Sequence, residues 1–333
     1  ALKKSILKCY HKDVRNIKRR LTFKGVENIL SELEDQLYND IYVTDNDNCF
    51  ITKKLLSSLN EVSVIVKEKH NGLFISLVED LIGKVQVFGV HFASLDIRQE
   101  SSVHTHLLNE VAVKDSLLPA TYSTLYDEEK IDVLCGLNGT ADTALYEGVF
   151  RDTLLSAAAV KLIQQKNGEA GCHRYIISQC NSALNVIEVY ALFLLSGWKR
   201  ESLTIDIVPL FETVEDLKQA AVIMETIFTN QAYREHLERR GKKETIMVGF
   251  SDGTKDGGYL MANWSIYNAK KELTETGRKH GIDIIFFDGR GGPPSRGGGK
   301  THKFYAAMGK SISNKEIQLT IQGQTISSGF GTK

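Results

Sequence analysis

The chain has 333 residues, of which 41 are lysine or arginine and 41 are aspartate or glutamate. This length suits one barrel-sized domain with additional helices, and the balanced charge argues against a nucleic-acid-binding or membrane-surface protein. The five cysteines form no Cys-x-x-Cys pair, and neither a signal peptide nor a membrane span is recognisable. We therefore expect reduced thiols in a cytoplasmic protein without nucleic-acid or membrane partners.

Residues 1–85 are predicted to be a helical segment, because apolar residues recur there at helical spacing, most clearly at 5–20, 26–33 and 54–59. The acidic tract at 45–48 resembles the start of a calcium loop. It lacks the central glycine and the terminal glutamate of that motif, so we expect a surface loop. No chemistry is predicted in this segment.

The style of the sequence changes in the second part of the chain, 86–333, where short apolar runs alternate with amphipathic helical segments. We predict strands at 88–97, 175–178, 203–211, 245–250, 282–287 and 316–321, and helices at 182–195, 214–227 and 259–281. Alternation of strand and helix implies parallel pairing, since each helix carries the chain back to the start of the next strand.

Polar side chains occur repeatedly where these strands end: Arg98, Glu212, Asp252 with Lys255, and Asp288 with Arg290. A (β/α)8 barrel gathers its active site from several strand ends at one face, whereas an open doubly wound sheet uses one switch point. We predict an α/β fold of the (β/α)8 TIM-barrel type. Only six strands are recognisable, so we expect an incomplete barrel whose other two strands lie outside this chain or escape recognition. An open sheet is the alternative.

Two carboxylates on neighbouring strands, Glu212 and Asp252, are candidate ligands for Mg²⁺ or Mn²⁺, because these cations prefer oxygen donors. Each carboxylate alone could instead cap the helix that follows it. Three cations, Arg98, Lys255 and Arg290, would supply the countercharge for a substrate that carries phosphate and carboxylate groups. Arg98 could instead pair with a neighbouring acid, Asp96 or Glu100.

A glycine-rich loop follows the fifth predicted strand and carries Arg290 and Arg296 among its glycines. Glycine allows the backbone to approach an anion closely, and guanidinium groups add fixed charge, so the loop suits a phosphate or carboxylate. A P-loop is excluded, because Pro294 occupies the position of its first glycine. A disordered Arg-Gly-Gly tail is disfavoured, because both copies of the motif lie in one short loop between apolar elements.

Several motifs from residue 85 onward, taken together and in order, resemble phosphoenolpyruvate carboxylases. They are Phe-Gly-Val at 88–90, Leu-Asp-Ile-Arg-Gln-Glu-Ser at 95–101, Pro-Leu-Phe-Glu-Thr at 209–213, Val-Gly-Phe-Ser-Asp-Gly-Thr-Lys-Asp at 248–256, Asp-Gly-Arg-Gly-Gly at 288–292 and Gln-Gly-Gln at 322–324. The resemblance implies a carbon–carbon lyase that fixes carbon dioxide. It would convert phosphoenolpyruvate and bicarbonate into oxaloacetate and phosphate with Mg²⁺, feeding the tricarboxylic acid cycle.

The resemblance also implies roles for individual residues. Glu212 and Asp252 would hold the metal, and Arg98 and Arg290 would hold the phosphate or carboxyphosphate. Lys255 would neutralise phosphate or bicarbonate. Arg296 lies in a loop that links the family's active site to inhibition by dicarboxylates, and the family's full-length enzymes are homotetramers.

Three departures from the family pattern affect these expectations. Asp288 stands where the family loop usually begins with histidine, Pro293 and Pro294 stiffen the loop, and Gln324 replaces a common glutamate. The family's Thr-Ala-His-Pro segment, with its proton-accepting histidine, is not in this sequence. We therefore expect an internal fragment that is inactive alone. If the chain nevertheless formed oxaloacetate, Asp288 would be the first candidate for the base. Another metal-dependent phosphate-binding barrel enzyme and a non-catalytic binding module are the alternatives.

Overall fold

The computed structural model divides into two units. The first contains Ala1–Leu95 and Ala159–His173, and the second contains Asp96–Ala158 and Arg174–Lys333. The structure describes residues 2–43, 51–249, 251–289, 305–306, 308–313 and 315–320, with the backbone alone given for residues 51, 251, 252 and 256.

Helices and strands alternate through the described residues after a purely helical start. The helices are α1 (Leu2–Arg20), α2 (Glu27–Tyr42), α3 (Ile51–Lys69), α4 (Ile75–Phe88), α5 (Ser101–Lys114), α6 (Asp127–Cys135), α7 (Gly148–Asn167), α8 (Ala183–Leu195), α9 (Val214–Thr229), α10 (Gln231–Arg239) and α11 (Ser251–His280). The strands are β1 (Asp96–Glu100), β2 (Arg174–Ser178), β3 (Asp206–Phe211), β4 (Lys243–Val248), β5 (Asp283–Asp288) and β6 (Ile317–Leu319).

The first unit is built around the apolar faces of α1 to α4. On α1 the buried residues are Ile6, Leu7, Tyr10, Val14 and Ile17, which follow the three- and four-residue spacing of one helix face. The hydroxyl of Tyr10 donates to the Gly89 carbonyl oxygen at 2.6 Å, and burial raises the pKa of Tyr10 to about 12. The helices predicted at 5–20, 26–33 and 54–59 are confirmed, and each is longer than its predicted segment.

The second unit contains a six-stranded parallel sheet in which the strands neighbour one another in sequence order. The parallel arrangement and the number of strands confirm the prediction, and strands two to six lie within three residues of their predicted bounds. The alternating pattern explains this order, because helical connections carry the chain from each of the first four strands to its neighbour. All carboxyl ends therefore lie at one edge of the sheet.

The first predicted strand was wrong in position. Its apolar run at 88–95 comprises the end of α4 and a turn, in which Phe92 has a φ of 70° and its side chain is 55% exposed. The strand itself is β1, which pairs with β2 from Asp96 to Glu100. A short apolar run does not distinguish a helix end from a strand, because the pairing partner decides. Arg98 consequently lies within the strand and not beyond its end.

A contact between non-adjacent strands shows that the sheet curls. Arg174 on β2 donates through Nη1 to Oε1 of Gln318 on β6 at 2.5 Å, and its guanidinium lies 5.7 Å from the Phe287 ring centroid on β5. In a flat sheet β2 and β6 would be four strand spacings apart, or roughly 19 Å. The side chains meet only because the sheet curves around them. The open, doubly wound alternative does not account for this contact.

Helix α8 packs against the sheet with an unusually apolar sequence, since all residues at 184–195 are buried. Its buried acid, Glu188, is fully enclosed and accepts hydrogen bonds at Oε2 from Thr105 Oγ1 at 2.9 Å and from Asn185 Nδ2 at 3.3 Å. No ion pair with Glu188 occurs among the described residues. Burial therefore raises its pKa to about 7, because the carboxylate form loses hydration.

Glu188→Gln should remove a pH-dependent loss of stability. The pKa of Glu188 in the folded protein is about 7, against the usual 4.5, so the folded state is most favoured below pH 4.5. About 3 kcal/mol of stability should be lost as the pH rises through 7. Urea unfolding at pH 5 and pH 8 measures this change. The exposed Glu235→Gln is the control, and an equal pH dependence in wild type and Glu188→Gln would contradict the assignment.

Candidate active site

The packing of β1 to β3 brings Arg98, within β1, together with Glu212, which follows β3. Arg98 Nη2 donates to Glu212 Oε1 at 3.1 Å, although the two residues are separated by 114 positions in the chain. The Arg98 side chain is 52% exposed and Glu212 is 14% exposed. An ion pair this open to water is weak by itself, so the guanidinium stays accessible to an anionic ligand.

The structure decides between the alternatives for these residues. Asp96 pairs with Arg174 at 2.7 Å, and Arg98 reaches across the sheet to Glu212 instead of pairing with Asp96. Thr213, not Glu212, is the N-cap of α9: its hydroxyl accepts from the backbone N–H of Asp216 at 3.1 Å. The Glu212 carboxylate is therefore not used as a helix cap and faces the strand ends.

Gln179 holds the second oxygen of Glu212 and was missed by the sequence analysis. Its backbone N–H donates to Glu212 Oε2 at 2.9 Å, and its carbonyl oxygen accepts from Ser101 Oγ at 2.8 Å. Gln179 has a φ of 54°, a left-handed backbone conformation that is uncommon for residues other than glycine. Its sequence position carried a signal, because it follows β2 directly, as Glu212 follows β3.

Glycines at the ends of β4 and β5 allow the neighbouring strand ends to approach closely. Gly249 N–H donates to the Phe211 carbonyl oxygen at 2.8 Å, and a Cβ at this position would lie 3.0 Å from the Glu212 Cα. Gly289 N–H donates to the Val248 carbonyl oxygen at 2.9 Å, and a Cβ there would lie 3.1 Å from that oxygen. Glycine at each place thus sets the spacing of the edge that carries Glu212.

The other predicted site residues are distributed along this edge and beyond it. Helix α11 begins at Ser251, so Asp252 lies in its first turn instead of preceding it, and Lys255 is exposed. Gly258, with a φ of 78°, interrupts α11 and separates this short segment from the predicted helix that begins at Tyr259. Arg290, Arg296 and Gln324, like the Asp252 side chain, lie outside the described residues.

Asp288 is the last residue of β5 and is only 3% exposed. Its carboxylate contacts the ammonium of Lys270 on α11, with 2.6 Å between Lys270 Nζ and Asp288 Oδ1. The hydroxyl of Tyr305 donates to the same carboxylate. Sequence analysis placed Asp288 at the candidate site but gave no indication of Lys270, which a helical pattern alone would place on an ordinary polar face.

A divalent cation would find suitable chemistry at Glu212, because this carboxylate is held at the strand edge by a backbone donor and a guanidinium that leave other lone pairs available. Among residues whose side chains are described, no group of three or more histidines, cysteines, aspartates or glutamates is arranged around one point. The second predicted ligand, Asp252, is not among those residues.

Comparison with known proteins gives the family. The family model described as phosphoenolpyruvate carboxylase matches residues 3–333. The chain belongs to the phosphoenolpyruvate carboxylase family. It is 31% identical over 285 residues to phosphoenolpyruvate carboxylase of Nitrosomonas eutropha, which covers 82% of this chain and 30% of the relative. It is 32% identical over 261 residues to that of Gloeobacter violaceus, with 76% of this chain and 28% of the relative covered.

A third phosphoenolpyruvate carboxylase, from Mycobacterium avium, is 35% identical over 257 residues, which is 74% of this chain and 27% of the relative. The chain thus spans less than a third of the length of these three relatives. In the part of the chain that the structure describes, no helix combines the length and the apolar character needed to cross a membrane.

Gly249→Ala should destabilise the strand edge, because the new Cβ would lie 3.0 Å from the Glu212 Cα and neither backbone can yield freely. Overpacking of this kind typically costs about 1–3 kcal/mol. Urea unfolding of the purified chain measures the change. Gly253→Ala is the matched control, since its nearest neighbour would lie at an ordinary 3.4 Å and the position is helical. Equal unfolding midpoints for the two variants would show that the close approach is not a constraint.

Proposed function

We propose that this chain contributes most of the active-site face of a phosphoenolpyruvate carboxylase, which converts phosphoenolpyruvate and bicarbonate into oxaloacetate and phosphate. Membership of the family and the six motifs in family order support this activity. The single structural observation that favours it is the meeting of Arg98 and Glu212 at the carboxyl edge of a curled parallel sheet. Parallel α/β enzymes bind their substrates at that edge.

Arg98 is the residue best placed to receive the substrate phosphate. Its guanidinium is half exposed, and its present partner is a single carboxylate oxygen at 3.1 Å. A planar guanidinium can donate to two oxygens of a phosphate at once. Its positive charge would also stabilise the negative charge that is shared among the phosphoryl oxygens during transfer. Two further cations would add to this positive charge: Lys255 on the exposed start of α11 and Arg290 in the glycine-rich loop. We propose Arg98, Lys255 and Arg290 together as the catalytic residues.

Glu212 and Asp252 are proposed to hold Mg²⁺ or Mn²⁺. When bound, the cation supplies a Lewis acid that stabilises negative charge on the enolate oxygen. The backbone N–H of Gln179 and the guanidinium of Arg98 orient the Glu212 carboxylate, so this ligand is positioned before a metal arrives. Orientation of this kind reduces the conformational freedom lost on binding.

The remaining proposals concern the complete protein. The curled sheet supports a (β/α)8 TIM-type barrel, of which the described part of 86–333 supplies six strands, with 1–85 as a separate helical segment. We further propose a cytoplasmic homotetramer, and regulation by a dicarboxylate effector through Arg296 and the glycine-rich loop. These proposals follow from the family resemblance and from the balanced charge of the chain.

Bicarbonate-dependent formation of oxaloacetate tests the proposed activity. The full-length polypeptide that carries this sequence, supplied with Mg²⁺ and phosphoenolpyruvate, should oxidise NADH in an assay coupled to malate dehydrogenase. The isolated 333-residue chain should give only the blank rate, since the family's proton-accepting histidine is not in its sequence. Turnover of another phosphorylated substrate would favour a different barrel enzyme, and turnover by the isolated chain would place the base within it.

Loss of either proposed metal ligand should weaken Mn²⁺ binding. Glu212→Gln and Asp252→Asn each remove a charged oxygen donor while keeping the side-chain size, so the affinity should fall at least about 10-fold. Paramagnetic relaxation of water in a Mn²⁺ titration measures binding without any turnover. Glu215→Gln, an exposed acid that pairs with Lys218 at 3.2 Å, is the control. If Asp252→Asn binds Mn²⁺ as tightly as wild type, the pairing of these ligands is wrong.

A further inference from the structure

A buried ion pair joins helix α11 to the end of β5. Lys270 Nζ lies 2.6 Å from Asp288 Oδ1 and donates to Oδ2 at 2.7 Å, and the two side chains are 1% and 4% exposed. The ammonium also lies 5.2 Å from the Phe286 ring centroid and 5.7 Å from that of Tyr305. Each charge is thus removed from water and compensated by its partner, and the faces of the two rings stabilise the ammonium further.

This environment does not suit a catalytic proton acceptor. Both oxygens of Asp288 contact Lys270, and the Tyr305 hydroxyl donates to Oδ2 as well. A general base needs a lone pair within reach of the proton that it removes, and it needs access to the substrate. Asp288 is enclosed and both its oxygens already face donors, so the geometry does not favour it as the base that turnover by the isolated chain would require.

The carboxyl edge is connected to this ion pair through backbone contacts. Gly289, the residue after Asp288, donates to the Val248 carbonyl oxygen at 2.9 Å. Gly249, the residue after Val248, donates to the Phe211 carbonyl oxygen at 2.8 Å and packs against the backbone of Glu212. A displacement of the end of β5 would therefore be transmitted through the end of β4 to the carboxylate that holds Arg98.

We propose that Lys270 and Asp288 are positioning residues: their buried ion pair holds the end of β5, and through it the Glu212 edge, in place. This inference deepens the proposed function and rests on it for the enzymatic measurement only. The ion pair and its effect on Glu212 are measurable by unfolding and by Mn²⁺ binding, which need no turnover.

The first experiment is a double-mutant cycle of urea unfolding with Lys270→Met, Asp288→Asn and the double variant. Each single change leaves one buried charge without its partner, so the unfolding equilibrium constant should rise roughly 100-fold or more. The unfolding equilibrium constant of the double variant should rise much less than the product of the two single increases, because the double variant leaves neither charge unpaired. If the effects of the two single substitutions on the unfolding constant simply multiplied in the double variant, the two residues would not form an ion pair.

A matched control is available on the same helix. Lys279 on α11 pairs with Glu225 on α9 at 2.5 Å, but its side chain is 67% exposed. Lys279→Met, Glu225→Gln and their double variant should each change the unfolding constant by less than about 5-fold, because water screens an exposed pair. Coupling as large as that between Lys270 and Asp288 would show that burial is not the cause.

The second experiment measures positioning in the full-length polypeptide. The Lys270→Met/Asp288→Asn double variant, which lacks both charges, should bind Mn²⁺ about 10-fold more weakly, although neither residue is a proposed ligand. The acid limb of its pH–rate profile should keep its wild-type position, with a lower kcat. Unchanged Mn²⁺ affinity would overturn the positioning role. Loss of the acid limb in Asp288→Asn but not in Lys270→Met would assign proton transfer to Asp288.

Failure of the proposed function gives a different result. If the wild-type polypeptide forms no oxaloacetate, the carboxylase assignment is wrong. The double-mutant cycle and the Mn²⁺ titration nevertheless decide whether the ion pair exists and whether it holds the Glu212 edge.

Discussion

The curvature of the parallel sheet is the constraint on which the candidate site depends. Because six strands run parallel and in sequence order, every carboxyl end lies at one edge, and curvature brings that edge inward. Arg174, at the start of β2, stabilises the curvature through its contacts with Asp96 on β1 and Gln318 on β6. One guanidinium thus connects three strands of the curled sheet.

Close backbone contacts at the carboxyl edge of the curled sheet fix the positions of its charged side chains. Gly249 and Gly289 permit the approach of neighbouring strand ends, and Gln179 turns its N–H towards Glu212 by adopting a left-handed conformation. Glu212 is consequently oriented by backbone that belongs to other strands. A carboxylate fixed in this way provides a negative centre whose position does not depend on the mobility of its own side chain.

Two buried carboxyl groups of the second unit, Glu188 and Asp288, are stabilised by different kinds of partner. Glu188 has hydrogen-bond donors but no ion-pair partner among the described residues, and burial raises its pKa to about 7. Asp288 faces Lys270 directly, so its enclosure is balanced by an opposite charge. The difference follows from location: the buried face around Glu188 on α8 supplies an amide and a hydroxyl donor, whereas the end of β5 adjoins a helix that presents a lysine.

Sequence by itself determined the family, the six parallel strands and the placement of Glu212 after β3, because apolar periodicity and local motifs are properties of short segments. It misplaced the first strand, since the run at 88–95 lacks a strand partner and only pairing distinguishes it from a helix end. Tertiary structure alone decided that Arg98 meets Glu212, that Gln179 orients it and that Lys270 neutralises Asp288. These contacts join residues 18 to 114 positions apart, and distances of that kind are set by how helices and strands pack together.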